Sequence, residues 1–387
     1  MDTIFLNEEE LMLQNTVREF SNSKIAPRAS NFDKLEKFPW ENFLDIANLG
    51  LLGLEISTDY GGSGGTARQQ SIVVEQLARA CAATSTIYIA HLSLCCRFIS
   101  MYGSESQKKK YLPNLINGSE VGAFALTESV SGSDAAGMIT TLTPQKNGFL
   151  INGSKTYITN AVEASTIVLM ATIDPKLRTK GVNALIIDSK TPGLTINPIH
   201  GKMGIRASSI AEIVFQNAFV PNENLISNES SGFKNTMNVL NASRISIAAQ
   251  CVGIAQSAYD AALDYSQNRM AFGQNLSQFQ GIQWKLADMA TEIEAARLLT
   301  LQAATLRDSK KPFIKEASMA KLFGSRIAVK AANTALQIHG GLGYISPTPV
   351  ERYYRDAKIT EIYEGSSEIQ KLIIARNILG NAHNQQS

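Results

Sequence analysis

The feature that most constrains this chain is a change of periodicity, from helical to strand-like and back to helical. Residues 6–120 carry apolar side chains at helical spacing. In LNEEELMLQNTVREFSNSKI the apolar positions are Leu11, Val17, Phe20 and Ile25. Asn7 stands where a helix N-cap is needed, with Glu10 three residues on as its reciprocal partner. Pro27 is expected to end or interrupt this segment, because proline lacks the amide hydrogen that a helix interior requires. DYGGSGG at 59–65 reads as a loop. The stretch 66–103 predicts two helices with a break near Thr84–Thr86, and Ser104 caps a short helix that stops near Pro113.

From Gly122 the texture becomes β-prone and rich in turns. In NGFLINGSKTYITN, Asn147-Gly148 predicts a hairpin turn, and Asn152-Gly153 predicts a turn closing a short strand. STIVLMATI at 165–173, VNALIID at 182–188 and SIAEIVF at 209–215 read as further strands. Turns separate most of them rather than long helices, which argues against a doubly wound nucleotide fold. Helical spacing returns at Asn238. Leu286, Met289, Ile293, Ala296, Leu299, Ala303 and Leu306 recur every three or four residues, and Pro312 divides this helix from the next. That helix runs to the paired glycines Gly340 and Gly341, and a last one spans Ser367–Leu379. The expected class is α+β: an N-terminal helical domain over 1–121, a middle β-sheet domain over 122–235 and a C-terminal helical bundle over 236–387.

Composition narrows the function. Of 387 residues, 44% are hydrophobic and 18% charged, as in a globular chain with a large core. Lys plus Arg total 36 against 34 Asp plus Glu, a formal charge of +2 that gives no basis for a nucleic-acid partner. Cys81, Cys95, Cys96 and Cys251 form no metal-binding spacing and are expected to be buried, reduced thiols; no metal is expected. The N-terminus does not resemble a secretory signal, and no run of about 20 apolar residues stands out as a bilayer span. The expected setting is therefore without stable membrane insertion: cytoplasmic if bacterial, or the mitochondrial matrix if eukaryotic with a transit peptide removed.

Several blocks, in order, resemble the acyl-CoA dehydrogenase family, and most closely its short-chain members. They are ALTESVSGSD at 125–134, KTYITN at 155–160, NRMAFG at 268–273, QIHGG at 337–341 and YYRDAKITEIYEGSSEIQ at 353–370. The resemblance implies an N-terminal α domain, a middle β domain and a C-terminal four-helix bundle. It also implies noncovalently bound FAD, an acyl-CoA substrate, an electron-transferring flavoprotein as partner, and a homotetramer or a dimer. The implied reaction is conversion of a short- or medium-chain acyl-CoA to its trans-2-enoyl-CoA. The substrate's alpha C–H is a poor acid, and no side chain accepts hydride, so a flavin and a positioned base divide the work.

The resemblance assigns the base to Glu364, which read alone is equally a capping group at the start of the last helix. Gly365 beside it leaves room for close approach of the ligand. The backbone N–H of Glu364 and a flavin hydroxyl are implied as donors to the thioester oxygen. The position that carries the base in some relatives precedes Arg244 and is Ser243 here, a poor replacement for a carboxylate. By the same resemblance Thr127, Tyr157 and Thr159 face the flavin, with tyrosine where tryptophan is frequent, and Ser133 serves flavin and substrate. Arg269, Phe272 and Gln280 contact FAD from a neighbouring subunit; Gln337, Gly340, Gly341, Ser366 and Glu368 complete the dinucleotide site. Asn241 and Arg244 lie on the CoA side, with Asn241 where aspartate is common, and Arg352, Arg355 and Asp356 brace the C-terminal architecture. ISNESSGF at 226–233 lacks the family's usual glycine. The alternatives within this frame are a branched-chain acyl-CoA dehydrogenase, an oxygen-using acyl-CoA oxidase and a catalytically silent flavoprotein.

Overall fold

A computed structural model describes residues 5–226 and 231–380, so half of the unusual ISNESSGF segment, residues 227–230, lies outside the described residues. The first helix, α1 (Glu8–Phe20), opens on the expected reciprocal cap between Asn7 and Glu10. Pro27 does not break the chain out of helix. A π-helical turn over Ser21–Ile25 widens the backbone ahead of it, and Pro27 then sits in the first turn of α2 (Ala26–Leu35), where no amide donor is needed. After α3 (Trp40–Asn48), Thr66 and Gln69 cap α4 (Ala67–Ala80). The break expected near Thr84–Thr86 lies instead at Cys81, whose extended backbone (φ −158°, ψ 109°) separates α4 from α5 (Ala82–Tyr88).

From α5 a π-helical stretch over Ile89–Cys96 leads into α6 (Arg97–Tyr102). The run Ala82–Tyr102 is long and apolar enough to cross a bilayer, correcting the expectation that no such run exists, but 94% of its most apolar window is buried inside the protein. It is the central helix of the N-terminal region. Ser104 caps α7 (Glu105–Ile116) as expected, but the helix passes through Pro113 and ends three residues later.

The middle region is a sheet of β1 (Gly122–Ala125), β2 (Thr141–Gln145), β3 (Gly148–Thr159), β4 (Thr166–Thr172), β5 (Val182–Asp188), β6 (Leu194–Pro198), β7 (Ile210–Pro221) and β8 (Leu225–Ile226). The strand order is β6-β7-β3-β2-β4-β5-β8, with β1 joined in parallel to β4. Asn147-Gly148 makes the expected turn into β3. Asn152-Gly153 does not end a strand: β3 continues through a bulge, and Gly153 (φ +137°) lies so close to Thr140 that a Cβ there would come within 2.7 Å of its Cα. Strand β4 is buried on both faces. Val168 and Met170 pack into the helical core, while Ile167, Leu169 and Ala171 pack into a separate core within the β region.

The last region is formed by α8 (Gly232–Asn268), a small hairpin of β9 (Met270–Ala271) and β10 (Gln274–Asn275), α9 (Gln280–Asp308), α10 (Ile314–His339), α11 (Pro349–Lys358) and α12 (Ser367–Leu379). Alanines such as Ala248, Ala255, Ala328 and Ala332 let α8 and α10 pack closely. The helical, β-sheet and helical-bundle order expected from the sequence is present. Arg355 clasps the three regions: it pairs with Asp33 of α2 at 2.7 Å and Glu351 of α11, and donates to the Met203 carbonyl at 3.2 Å. Buried Asp356 accepts from the Ile205 amide, so these two residues, expected to brace the C-terminal architecture, also tie it to the other regions. All four cysteines are free and buried.

Candidate active site

A cavity of about 230 Å³ opens where the helical regions meet the edge of the sheet. Its apolar walls come from Ile89, Ala90 and Leu94 of the π-helical stretch, Phe124 of β1, and Met237, Leu240 and Ile247 of α8. Thr127, Ser133, Tyr157, Thr159, Arg244, Glu364 and Gly365 line the same space. Seven of the residues singled out in the sequence thus converge from four separate segments.

Local backbone explains how they do so. Between Lys155 and Ile158 the β3–β7 pairing skips a register, and Tyr157 within that bulge takes φ +58°. The bulge turns the Tyr157 ring out of the sheet, 65% exposed, beside the cavity mouth. Glu364 also occupies the left-handed region, at φ +50°, and Gly365 follows at φ +95°. A glutamate held there costs about 1 kcal/mol or more, so the surrounding contacts must fix the turn. Gln370 Nε2 donates to the Gly365 carbonyl at 2.8 Å and to the Glu364 carbonyl at 3.3 Å, and Lys321 Nζ donates to the Gly365 carbonyl at 2.8 Å. On the other side, Tyr363 donates to Gln250, whose amide in turn donates to the Ala82 carbonyl, Ser85 and Thr86.

Glu364 is the single carboxylate among the described residues lining the cavity, and no histidine, cysteine or lysine lines it. Burial pushes its carboxyl up to about 7, against the opposing effects of the Ser243 hydrogen bond and of Lys321 and Arg244. The Ser243 hydroxyl lies between two acceptors, the Glu364 carboxylate and the Leu240 carbonyl. It can donate to an ionised Glu364, or turn to Leu240 and accept from a protonated one. Arg244 is buried and donates to Asn241; its Nε has no partner among the described residues, and burial brings its guanidinium down to about 10. Asn241 itself does not line the cavity, and acts on it through Arg244.

The remaining sequence-chosen residues are not brought together within one chain. Arg269, Phe272, Gln280, Gln337, Gly340, Gly341 and Glu368 are all exposed, and none of them lines the cavity; nor does Ser366, the cap residue of α12. Phe272, at φ +50°, is 97% exposed. A Cβ on Gly340 or Gly341 would meet nothing within 4 Å. His339 stacks on Tyr265 at 4.2 Å and bonds the Ala335 carbonyl, a packing role.

The donor set fits a flavin. The hydroxyls of Thr127 and Thr159 make no hydrogen bond within the described residues, and the Tyr157 ring offers an open aromatic face beside them. These residues would hold the ring end of FAD in the cavity. The loop carrying Thr127 is fixed by a feature the sequence reading did not identify. Buried Lys155 pairs with buried Glu128 at 2.7 Å and bonds the Leu126 carbonyl, while Glu128 accepts from the amides of Ile139 and Thr140. Ser243 as a hydrogen-bond partner of Glu364, and Lys321 as a partner of its turn, were also missed.

Comparison with known proteins agrees with this geometry. The acyl-CoA dehydrogenase N-terminal, middle and C-terminal domain models match residues 7–119, 123–218 and 230–379. The chain is 44% identical over 377 residues to the mitochondrial short-chain specific acyl-CoA dehydrogenase of Rattus norvegicus, covering 97% of this chain and 92% of the relative. It is also 44% identical over 376 residues to the acryloyl-CoA reductase (NADH) of Anaerotignum propionicum, covering 97% and 95%. Among solved structures, butyryl-CoA dehydrogenase from Megasphaera elsdenii superposes with a TM-score of 0.95 at 38% identity, covering 98% of this chain and all of the other. With all three domains matched in order, the chain belongs to the acyl-CoA dehydrogenase family, FAD-linked enzymes that dehydrogenate acyl-CoA thioesters between C2 and C3.

Proposed function

We propose that this enzyme oxidises short-chain acyl-CoA to trans-2-enoyl-CoA, with Glu364 removing the alpha proton. The observation that carries this reading is that Glu364 is the lone carboxylate among the described residues lining the cavity, on a backbone turn held from both sides. A carboxyl brought up to about 7 is a far better base than an ordinary glutamate, and is still ionised in a large fraction of molecules near neutral pH. The Glu364 amide is the donor proposed for the thioester oxygen as negative charge develops there. Bound FAD supplies the acceptor for the beta hydride. Thr127, Thr159 and Tyr157 orient its ring, and Arg244 and Ser133 face the CoA side of the substrate.

Two observations favour a short acyl chain. The cavity is small against the usual range of roughly 300–1,000 Å³ for ligand sites, and the flavin ring must share its about 230 Å³. The relatives named for short-chain and butyryl substrates are also similar over nearly their full length. Arg269, Phe272, Gln280, Gln337, Gly340 and Gly341 hold the rest of FAD across a subunit contact in a homotetramer, and electrons leave to an electron-transferring flavoprotein. The similarity to an acryloyl-CoA reductase favours a second reading, in which the same C2–C3 chemistry runs physiologically toward the saturated thioester.

Anaerobic titration of the holoenzyme with a C4-to-C16 acyl-CoA series tests the proposal. Flavin bleaching should be fastest with butyryl-CoA and decline with length. Fastest bleaching by long chains would overturn the length assignment, and no bleaching by any member would overturn the oxidation. Reoxidation by crotonyl-CoA or acryloyl-CoA that outpaces reduction by the saturated thioester would favour the second reading.

A further inference from the structure

Lys321 lies on α10 among Ala317, Ala320, Gly324 and Ala328, on the stripe that faces the bundle core. Its side chain is fully buried. A buried ammonium is costly unless a counter-charge meets it, yet among the described residues no carboxylate forms an ion pair with Lys321. Its one hydrogen-bond acceptor among the described residues is the Gly365 carbonyl at 2.8 Å.

That carbonyl does not need a lysine. Gln370 Nε2 already donates to it at the same distance of 2.8 Å. What Lys321 adds beyond a second donor is a positive charge immediately behind the turn that carries Glu364. We propose that Lys321 is a positioning residue for the reaction, fixing the Glu364–Gly365 turn and keeping Glu364 ionised by its charge. The proposal rests on the assignment of Glu364 as the base.

The groups surrounding the pair are few. Arg244 and the Ser243 hydroxyl face Glu364 from α8, and Tyr363 precedes it in the chain. Around Lys321 stand Cys251 from α8, Glu361 from the turn before Glu364, and Arg244. Cys251 is buried and its thiol is pushed up to about 12, so it is neutral near pH 7. Burial opposes charge on both members, pushing Glu364 up and bringing Lys321 down to about 8, while each favours the charged form of the other. Loss of the lysine charge therefore leaves burial less opposed at Glu364. Arg244 faces the same carboxylate, but it also faces the cavity and meets the incoming ligand. Lys321 is not among the cavity-lining residues, so it acts on Glu364 from behind the turn.

The test compares Lys321→Gln, which keeps a donor without the charge, Lys321→Met, which keeps neither, and Lys321→Arg, which keeps the charge. Two readouts are taken on each holoenzyme. One is the pH titration of the Glu364 carboxyl by infrared difference against Glu364→Gln, which needs no substrate. The other is the anaerobic rate of flavin reduction by butyryl-CoA together with its Kd. Gln and Met should move the titration midpoint up by about one pH unit and slow reduction at pH 7 by about five-fold. The Kd should stay within about two-fold, and the rate should recover at higher pH. Arg should keep the wild-type midpoint. An unmoved midpoint in Lys321→Gln overturns the proposal, and so does a lost rate that higher pH does not restore, since that is the signature of packing alone. If Met loses FAD, the Gln and Arg variants decide. Wild-type enzyme that no acyl-CoA reduces, with the midpoint still moving in Lys321→Gln, would overturn the proposed reaction and leave the coupling of the two residues standing.

Discussion

At the scale of single residues, the chemistry rests on one carboxylate whose surroundings set its proton affinity. Glu364 goes from about 4.5 to about 7 because burial penalises its charged form more than Ser243, Lys321 and Arg244 favour it. The sign of the consequence follows. Between those values the folded chain holds a proton that the unfolded chain releases. The group's stabilising contribution is present below about pH 4.5 and is lost as pH rises through about 7. Activity needs the opposite form, so kcat/KM should fall as pH drops below about 7, and Glu364→Gln should be at least as stable as wild type at pH 8. A thermal midpoint for that variant well below wild type at pH 8 would contradict the burial argument. Sequence reading reached Glu364 only through resemblance, because one glutamate before a helix is equally a cap. Ser243 was read there as a missing base, whereas it is a hydrogen-bond partner of Glu364; nothing in serine's spacing announces a partner 121 residues away.

At the scale of elements, the local rules held where the signal was local and failed where packing decided. The caps at Asn7 and Ser104 were legible because both partners lie within four residues. Pro27 was misjudged because a helix tolerates proline when the lost amide bond lies in a first turn behind a widened one, whereas Pro113 sits inside α7, which runs three residues beyond it. Gly153 was read as a turn, yet it marks a bulge that lets Thr140 approach. Buried Lys155 occupies an inward position of β3, two residues past Gly153, where the period-two pattern calls for an apolar side chain. That conflict was a readable signal of its partner, Glu128. Lys155→Met should cost about 3–5 kcal/mol by stranding the Glu128 charge. It should also weaken FAD retention, because the Thr127 loop loses its anchor. Chemical denaturation and flavin release on dilution measure the two effects. Unchanged values for both would show that the pair neither holds the loop nor stabilises the fold.

At the scale of the whole molecule, the order of helices, sheet and helices was visible in periodicity alone, while the dinucleotide site was not. A third of the residues that resemblance assigns to FAD converge on the cavity, and the others, apart from half-buried Ser366, stand exposed on the bundle surface. A bare Phe272 at positive φ and an exposed Arg269 make sense if a second copy brings them to a neighbour's flavin. Arg269→Ala should then leave the fold intact and weaken FAD affinity by about ten-fold or more, since a guanidinium–phosphate contact is a strong one. Mixing this variant with Glu364→Gln should restore part of the activity in hybrid assemblies, and a monomer with full FAD affinity would contradict the arrangement.

The most direct measurement is the anaerobic reduction rate of FAD-loaded Glu364→Gln by butyryl-CoA beside the wild type. The amide keeps the shape of the side chain and cannot take the proton. The variant should show normal FAD content, substrate binding within a few-fold of wild type, and a reduction rate lower by about 10²–10⁴-fold, the usual contribution of a general base. Reduction at a wild-type rate would show that another group removes the alpha proton.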